Sequence, residues 1–146
     1  MRAGFFMTLL VTAAVSTPTI GEAPKEAETL QGAWLVTGGT TDGKPIPEEE
    51  VKKRVVVIFG TTKISTTEAG KDNKAEMSYK VDPTKSPKTI DITPETASRG
   101  VIRGIYEVKG DLLKICVGEP GKERPISFEA KPGTGHSLME LKRTKQ

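Results

Sequence analysis

The side chains best suited to nucleophilic and base chemistry are scarce, because the 146-residue chain holds one cysteine, Cys116, and one histidine, His136. A nucleophile and its base must lie about 3 Å apart. The strand pattern inserts a strand over Ile126–Ala130 between the two, which sets them about 10 Å apart, so catalysis by this pair is not expected. Cys116 shares a strand face with Leu112 and Lys114, opposite Leu113, Ile115 and Val117, so a semi-buried thiol is expected. Were it accessible, it could form a mixed or intermolecular disulfide. One cysteine and one histidine cannot build a zinc site unaided. Glu48, Glu49 and Glu50 fall on a short helix whose neighbouring side chains diverge by about 100°, which makes them a solvated face and not a metal cluster. Gly133-Thr134-Gly135-His136 lacks the strand-to-helix setting of a phosphate loop and reads as a hairpin. Lys80, Lys85 and Lys88 form a loose basic loop with little aromatic interleaving, so no nucleic-acid partner is expected. Basic residues number 22 against 19 acidic, a net of +3, too small to imply a polyanionic partner. The chemistry-bearing residues thus predict no enzyme, no catalytic residues, no metal and no cofactor.

What must position these residues is one domain. Residues 1–16, MRAGFFMTLLVTAAVS, carry one charge, Arg2, and then an apolar run from Gly4 to Val15. This run has the length of a signal-peptide core and falls short of the roughly 20 residues that span a bilayer. Ala14 and Ser16 form a small-x-small cleavage site, with later cuts up to Ala23 as alternatives. The expectation is a periplasmic or secreted bacterial protein with no transmembrane anchor after cleavage. Residues 17–29 read as a polar linker, and 30–146 as the folded domain.

Within that domain, strand signals recur every eight to twelve residues. They cover Leu30–Thr37, Arg54–Phe59, Lys63–Thr67, Lys74–Val81, Ile90–Thr93, Val101–Val108, Leu112–Val117, Ile126–Ala130 and His136–Arg143. Gly38-Gly39, Asp42-Gly43 and Gly70-Lys71-Asp72-Asn73 read as turns. Lys109-Gly110-Asp111 reads as a three-residue hairpin. Pro47–Arg54 is the one helix, with proline at its first position, acids in its first turn, and Glu48/Lys52 and Glu49/Lys53 at i, i+4. Short sequential connections predict an all-β fold: a small antiparallel up-and-down barrel of about eight strands with one short helix.

Met139, Leu141 and Arg143 share the core face of the last strand, which puts a guanidinium at the end of the core, where it needs a partner. Closing the barrel makes the first and last strands neighbours and offers Arg143 the ring of Trp34. Gly32-Ala33-Trp34, with an arginine closing the last strand, resembles the pattern of the lipocalin and fatty-acid-binding-protein superfamily. A wider set of motifs extends the likeness: Leu30-Gln31-Gly32-x-Trp34, Asp42-Gly43-Lys44-Pro45-Ile46-Pro47, Ile90-Asp91-Ile92-Thr93, Gly104-Ile105-Tyr106-Glu107, Leu113-Lys114-Ile115-Cys116 and Lys131-Pro132-Gly133-x-Gly135. Together they resemble the planctomycete-type family of exported lipocalin-like domains, over Leu30 to Arg143. The resemblance implies a lipocalin-like barrel with Gly32, Trp34 and Arg143 as structural signature, and it implies no particular ligand. No segment matches the long C-terminal helix of typical lipocalins.

A barrel of this size either fills with side chains or holds one small ligand. The leading expectation is a non-catalytic binding protein for a small apolar or amphipathic ligand in the lumen, contacted by Tyr79, Tyr106, Met77 and Phe128. The alternative is a protein-interaction or structural module with a filled barrel, whose loops Gly38–Pro47, Asp82–Lys88 and Gly118–Pro125 meet a protein partner.

Overall fold

The computed structural model describes residues 29–53, 55–67 and 75–144. The expected signal segment, all of the linker but Thr29, Arg54 and the turn at residues 70–73 lie outside the described residues. Nine strands follow in order: β1 (Gly32–Thr41), β2 (Lys44–Pro45), β3 (Val56–Phe59), β4 (Lys63–Thr67), β5 (Ala75–Asp82), β6 (Lys88–Pro94), β7 (Ile102–Lys109), β8 (Leu112–Val117) and β9 (Ser137–Arg143). A short helix, α1 (Glu48–Lys52), precedes β3, and a 3-10 turn (Ala97–Arg99) precedes β7. Every pairing is antiparallel. From β3 onward each strand pairs with the next, and β9 returns to pair with β1. The result is a closed eight-stranded up-and-down barrel, with β2 as an extra strand hairpinned onto the far end of β1. Closure matters because it leaves no long unpaired edge to template association.

Period-two alternation builds the interior. Tyr79 with Met77 and Val81 on β5, Ile90 and Ile92 on β6, Tyr106 with Ile102 and Val108 on β7, and Leu113 and Ile115 on β8 all pack into one cluster around Trp34, Phe59, Ile64 and Leu141. At about 25 cal/mol per Å² of apolar surface buried, this cluster is the main term holding the strands together. Helix α1 buries nothing. Its Pro47 is the N-cap, one residue before the first helical position, Lys52 lies 4.0 Å from Glu48, and Lys53 reaches Glu50 at 2.8 Å.

Four expectations are corrected. Gly38-Gly39 is not a turn: β1 runs through it to Thr41 with a register shift between Val36 and Gly38. Gly39 sits at φ +153°, where a Cβ would run into the Leu138 carbonyl, so the pair makes a bulge against β9, between the part of β1 that pairs with β3 and the part that pairs with β2. The Asp42-Gly43 turn follows as expected, with φ of 48° and 80°. The β7–β8 hairpin has a two-residue loop, because Lys109 is itself paired, with Leu112. No strand forms over residues 126–130, which are irregular. Finally, Val117 pairs with Ser137, so β8 and β9 are direct neighbours. Residues 118–136 are therefore a long strap between two strands that a two-residue turn could join.

Candidate functional site

The signature residues meet at one end of the barrel. Trp34 is fully buried, its indole N–H donates to the Leu30 carbonyl at 2.8 Å, and it faces Arg143 across the β1–β9 pair. The Arg143 guanidinium carbon stands 4.2 Å from the ring centroid. Its nitrogens donate to the Gln31 and Thr29 carbonyls, each at 2.9 Å, and Nε lies 3.7 Å from Asp111. Gly32 has φ +122°, and a Cβ there would sit 3.0 Å from Arg143 Nη1. The stacking expected from the sequence is present. Because the guanidinium also ties down the carbonyls of the segment before β1, its work is structural.

The four residues assigned to a ligand do not converge. Tyr79 is buried, its hydroxyl donates to the Gly60 carbonyl at 2.6 Å, and its ring meets Phe59 edge-on at 5.4 Å. Burial pushes its phenol above the ordinary value. Met77 lines a recess of about 380 Å³ with Pro94, Arg99 and Ile102 near the β6–β7 connection. Phe128 was assigned inward on a strand. It lies instead on the strap and lines, with Tyr106, a separate recess of about 330 Å³. Ile126, the first residue of the expected strand, is 90% exposed.

The strap accounts for these displacements. On β7 and β8 the outward positions Ile105 and Cys116 face each other, yet both are buried, as are Pro125 and Ala130 of the strap. A small second core thus lies outside the barrel wall. Backbone hydrogen bonds seat its start, from Gly118 to Arg103 O (3.0 Å) and from Gly121 to Val101 O (2.9 Å). Arg124 pins its middle. One nitrogen donates to the carbonyls of Ile90 (3.2 Å) and Gly104 (2.8 Å), which face each other across β6 and β7, and another reaches Asp91 at 2.7 Å. Asp42 holds its end by accepting from the Gly133 and Gly135 N–H groups at 2.8 and 3.1 Å. The hairpin expected at residues 133–136 does not form, because no strand precedes it; the segment is a turn whose Gly133 and Gly135 amides meet the Asp42 carboxylate.

Two further corrections follow. Cys116 is fully buried, with Sγ 3.8 Å from the Glu129 carbonyl, and burial pushes its thiol up. No strand separates Cys116 from His136: Cys116 pairs with Leu138, and His136 lies just before β9. Arg124 and the strap were missed. Arg124 gives no periodic signal, but the apolar outward pair Ile105 and Cys116 was a legible sign that something covers that wall. Among the described residues no group of three or more His, Cys, Asp or Glu is placed to hold a metal ion.

The strap and the β5–β6 loop make the site. β6 starts opposite Tyr106, so β7 outruns it, and the loop residues Lys85, Ser86 and Pro87 face the end of β7. Phe128 of the strap lines this recess together with Tyr106 and Val108, whose side chains belong to the barrel's interior cluster. A neighbouring recess of about 530 Å³ is floored by Ile105 and Pro125 and walled by Arg124, Ile126 and the same loop. Set against family models, curated proteins and solved structures, the chain finds no match.

Proposed function

We propose that this chain is an exported, non-catalytic, lipocalin-like binding protein. Its small ligand, which carries an apolar body, is held at the barrel's rim, where β7 outruns β6, and not in the middle of the lumen. The observation that carries this reading is the recess where Phe128 of the strap, Tyr106 and Val108 of β7 and the loop at residues 85–87 come together. Its volume of about 330 Å³ falls at the lower end of the range, about 300–1,000 Å³, of small-molecule sites. Two of the four ligand residues expected from sequence, Tyr106 and Phe128, line it. The lumen favours the move outward, since Trp34, Phe59, Tyr79 and Leu141 pack against one another there. Loops as long as the strap, with no secondary structure of their own, are commonly functional. Export rests on the apolar leader, and the lipocalin-like affiliation on the Gly32, Trp34 and Arg143 arrangement.

Native mass spectrometry of protein purified from its own envelope fraction tests the reading. A non-covalent adduct is expected, lost with Phe128→Ala and kept with Met77→Ala. An adduct kept by Phe128→Ala and lost with Met77→Ala overturns the reading and moves the site to the recess lined by Met77 and Ile102. A second reading, a protein-interaction module, is favoured by Ile126, which stands 90% exposed on the strap. It predicts no adduct, and a partner whose binding Ile126→Asp abolishes.

A further inference from the structure

We infer that the face of the strap around Ile126 pairs with the same face of a second copy of this chain. Each copy's Ile126 enters the other's recess between the strap and the β5–β6 loop. Among the described residues the exposed large apolar side chains are Leu112, at 58%, and Ile126, at 90%. A single apolar residue at a surface is ordinary. Ile126 differs from Leu112 in what lies beside it. It stands on the rim of the recess of about 530 Å³ that Ile105 and Pro125 floor and that Ser86, Pro87 and Thr89 help to wall. Leu112 lines none of the described recesses and has Lys142 opposite it on β9. A projection and a hollow side by side on one face are self-complementary, because a two-fold axis passing between them seats each projection in the other's hollow.

The projection is held in place before any partner arrives. Pro125, just ahead of it, is fully buried, and Arg124 is fixed by the carbonyls of Ile90 and Gly104 and by Asp91. The strap therefore loses little freedom when Ile126 is covered, which lowers the entropic penalty of association. Charge also favours a second copy over a different partner. The chain carries a net +3, but this recess carries two acids, Asp82 and Asp91, and two bases, Lys85 and Arg124. Two such faces meet without the repulsion that a face of one sign brings, and each acid of one copy has a base available on the other. A strongly acidic or strongly basic partner gains nothing from a face so balanced. Residues 84–86 and 127, on either side of the contact, are exposed and free to be covered.

Sedimentation equilibrium of the intact protein tests this. A reversible monomer–dimer equilibrium in the micromolar range is expected. Each covered isoleucine is worth at least about tenfold in association, and a dimer covers two, so Ile126→Asp should weaken it at least about a hundredfold. Leu112→Asp should leave it unchanged. A second measurement places the contact. Ile126→Cys mixed with Ser86→Cys, with diamide as oxidant, should give a disulfide-linked pair of unlike chains in excess of any pair either variant forms alone. The native Cys116 is buried and does not compete. A chain that stays monomeric up to about 1 mM overturns the inference and leaves the face to a different protein. A dimer that survives Ile126→Asp, or that is lost with Leu112→Asp alone, overturns it too. Ile126→Cys linking to itself as readily as to Ser86→Cys overturns the seating of Ile126 in the recess. Association is read as mass in solution and the ligand as an adduct lost with Phe128→Ala, so either can fail without the other. Circular dichroism of each variant verifies that the barrel is intact.

Discussion

Gly32, Trp34 and Arg143 form one unit in which each residue type is required for a different reason. The indole supplies a flat buried face, the guanidinium covers it and satisfies two carbonyls, and the glycine makes room at a backbone angle that a side chain resists. Trp34→Ala removes a fully buried ring and should cost about 3–5 kcal/mol in urea unfolding. Arg143→Ala should cost about 2 kcal/mol, from lost stacking and charge-assisted hydrogen bonds. Arg143→Lys should recover only part of that, because an ammonium cannot stack and fork to two carbonyls at once. If the lysine variant equals wild type, the planar fork is irrelevant. The buried thiol and phenol give a second prediction. Both pKa values are raised by burial, Cys116 above 9.0 and Tyr79 above 10.0. The folded chain therefore keeps these protons at a pH where the unfolded chain has released them. Their contribution is complete below the ordinary values and is lost as pH climbs through the raised ones. The urea midpoint should fall above about pH 9, and Cys116→Ala should flatten the first part of that fall. An unchanged curve in the variant would refute burial as its cause.

The strap is the element that departs most from the expected pattern. Its residues 126–130 alternate in polarity like a strand. The chain instead lays Pro125 and Ala130 onto Ile105 and Cys116 and turns Ile126 outward. Alternation reports which residues can be buried and says nothing of whether a neighbour offers an open edge to pair with. In a closed barrel none is offered, since β8 and β9 already pair with each other. Arg124 decides how firmly the strap is held. Arg124→Ala removes an ion pair and two hydrogen bonds to carbonyls, a loss of about 1–3 kcal/mol once partial exposure is allowed for. Cys116 reports on it: the wild-type thiol should resist a disulfide reagent until the chain unfolds, whereas Arg124→Ala should label under native conditions. A thiol equally protected in that variant would mean that the apolar contacts alone hold the strap.

For the molecule as a whole, closure of β9 onto β1 joins the two ends of the domain in one core. The chain has a single tryptophan, buried at that seam. Its fluorescence and the far-UV signal of the sheet should change in one coincident transition in urea. Separate midpoints would show that the seam opens before the barrel does.

Much of this architecture was legible beforehand. The two-residue period of Met77, Tyr79 and Val81, the turn at Asp42-Gly43, and an arginine misplaced on the core face of β9 are local signals, and they led to an antiparallel barrel closed at Trp34 and Arg143. Local signals suffice where backbone sterics and burial act within a few residues, or where a charge in an apolar face leaves few partners. The candidate site escaped them because it is made by elements distant in sequence. Lys85, Lys109 and Phe128 share a recess only because β7 outruns β6 and the strap folds back over the barrel wall. Which side of the wall a side chain such as Phe128 occupies depends on how the strands have already satisfied their hydrogen bonds. That competition is settled among all the strands at once, and no single stretch of the chain contains it.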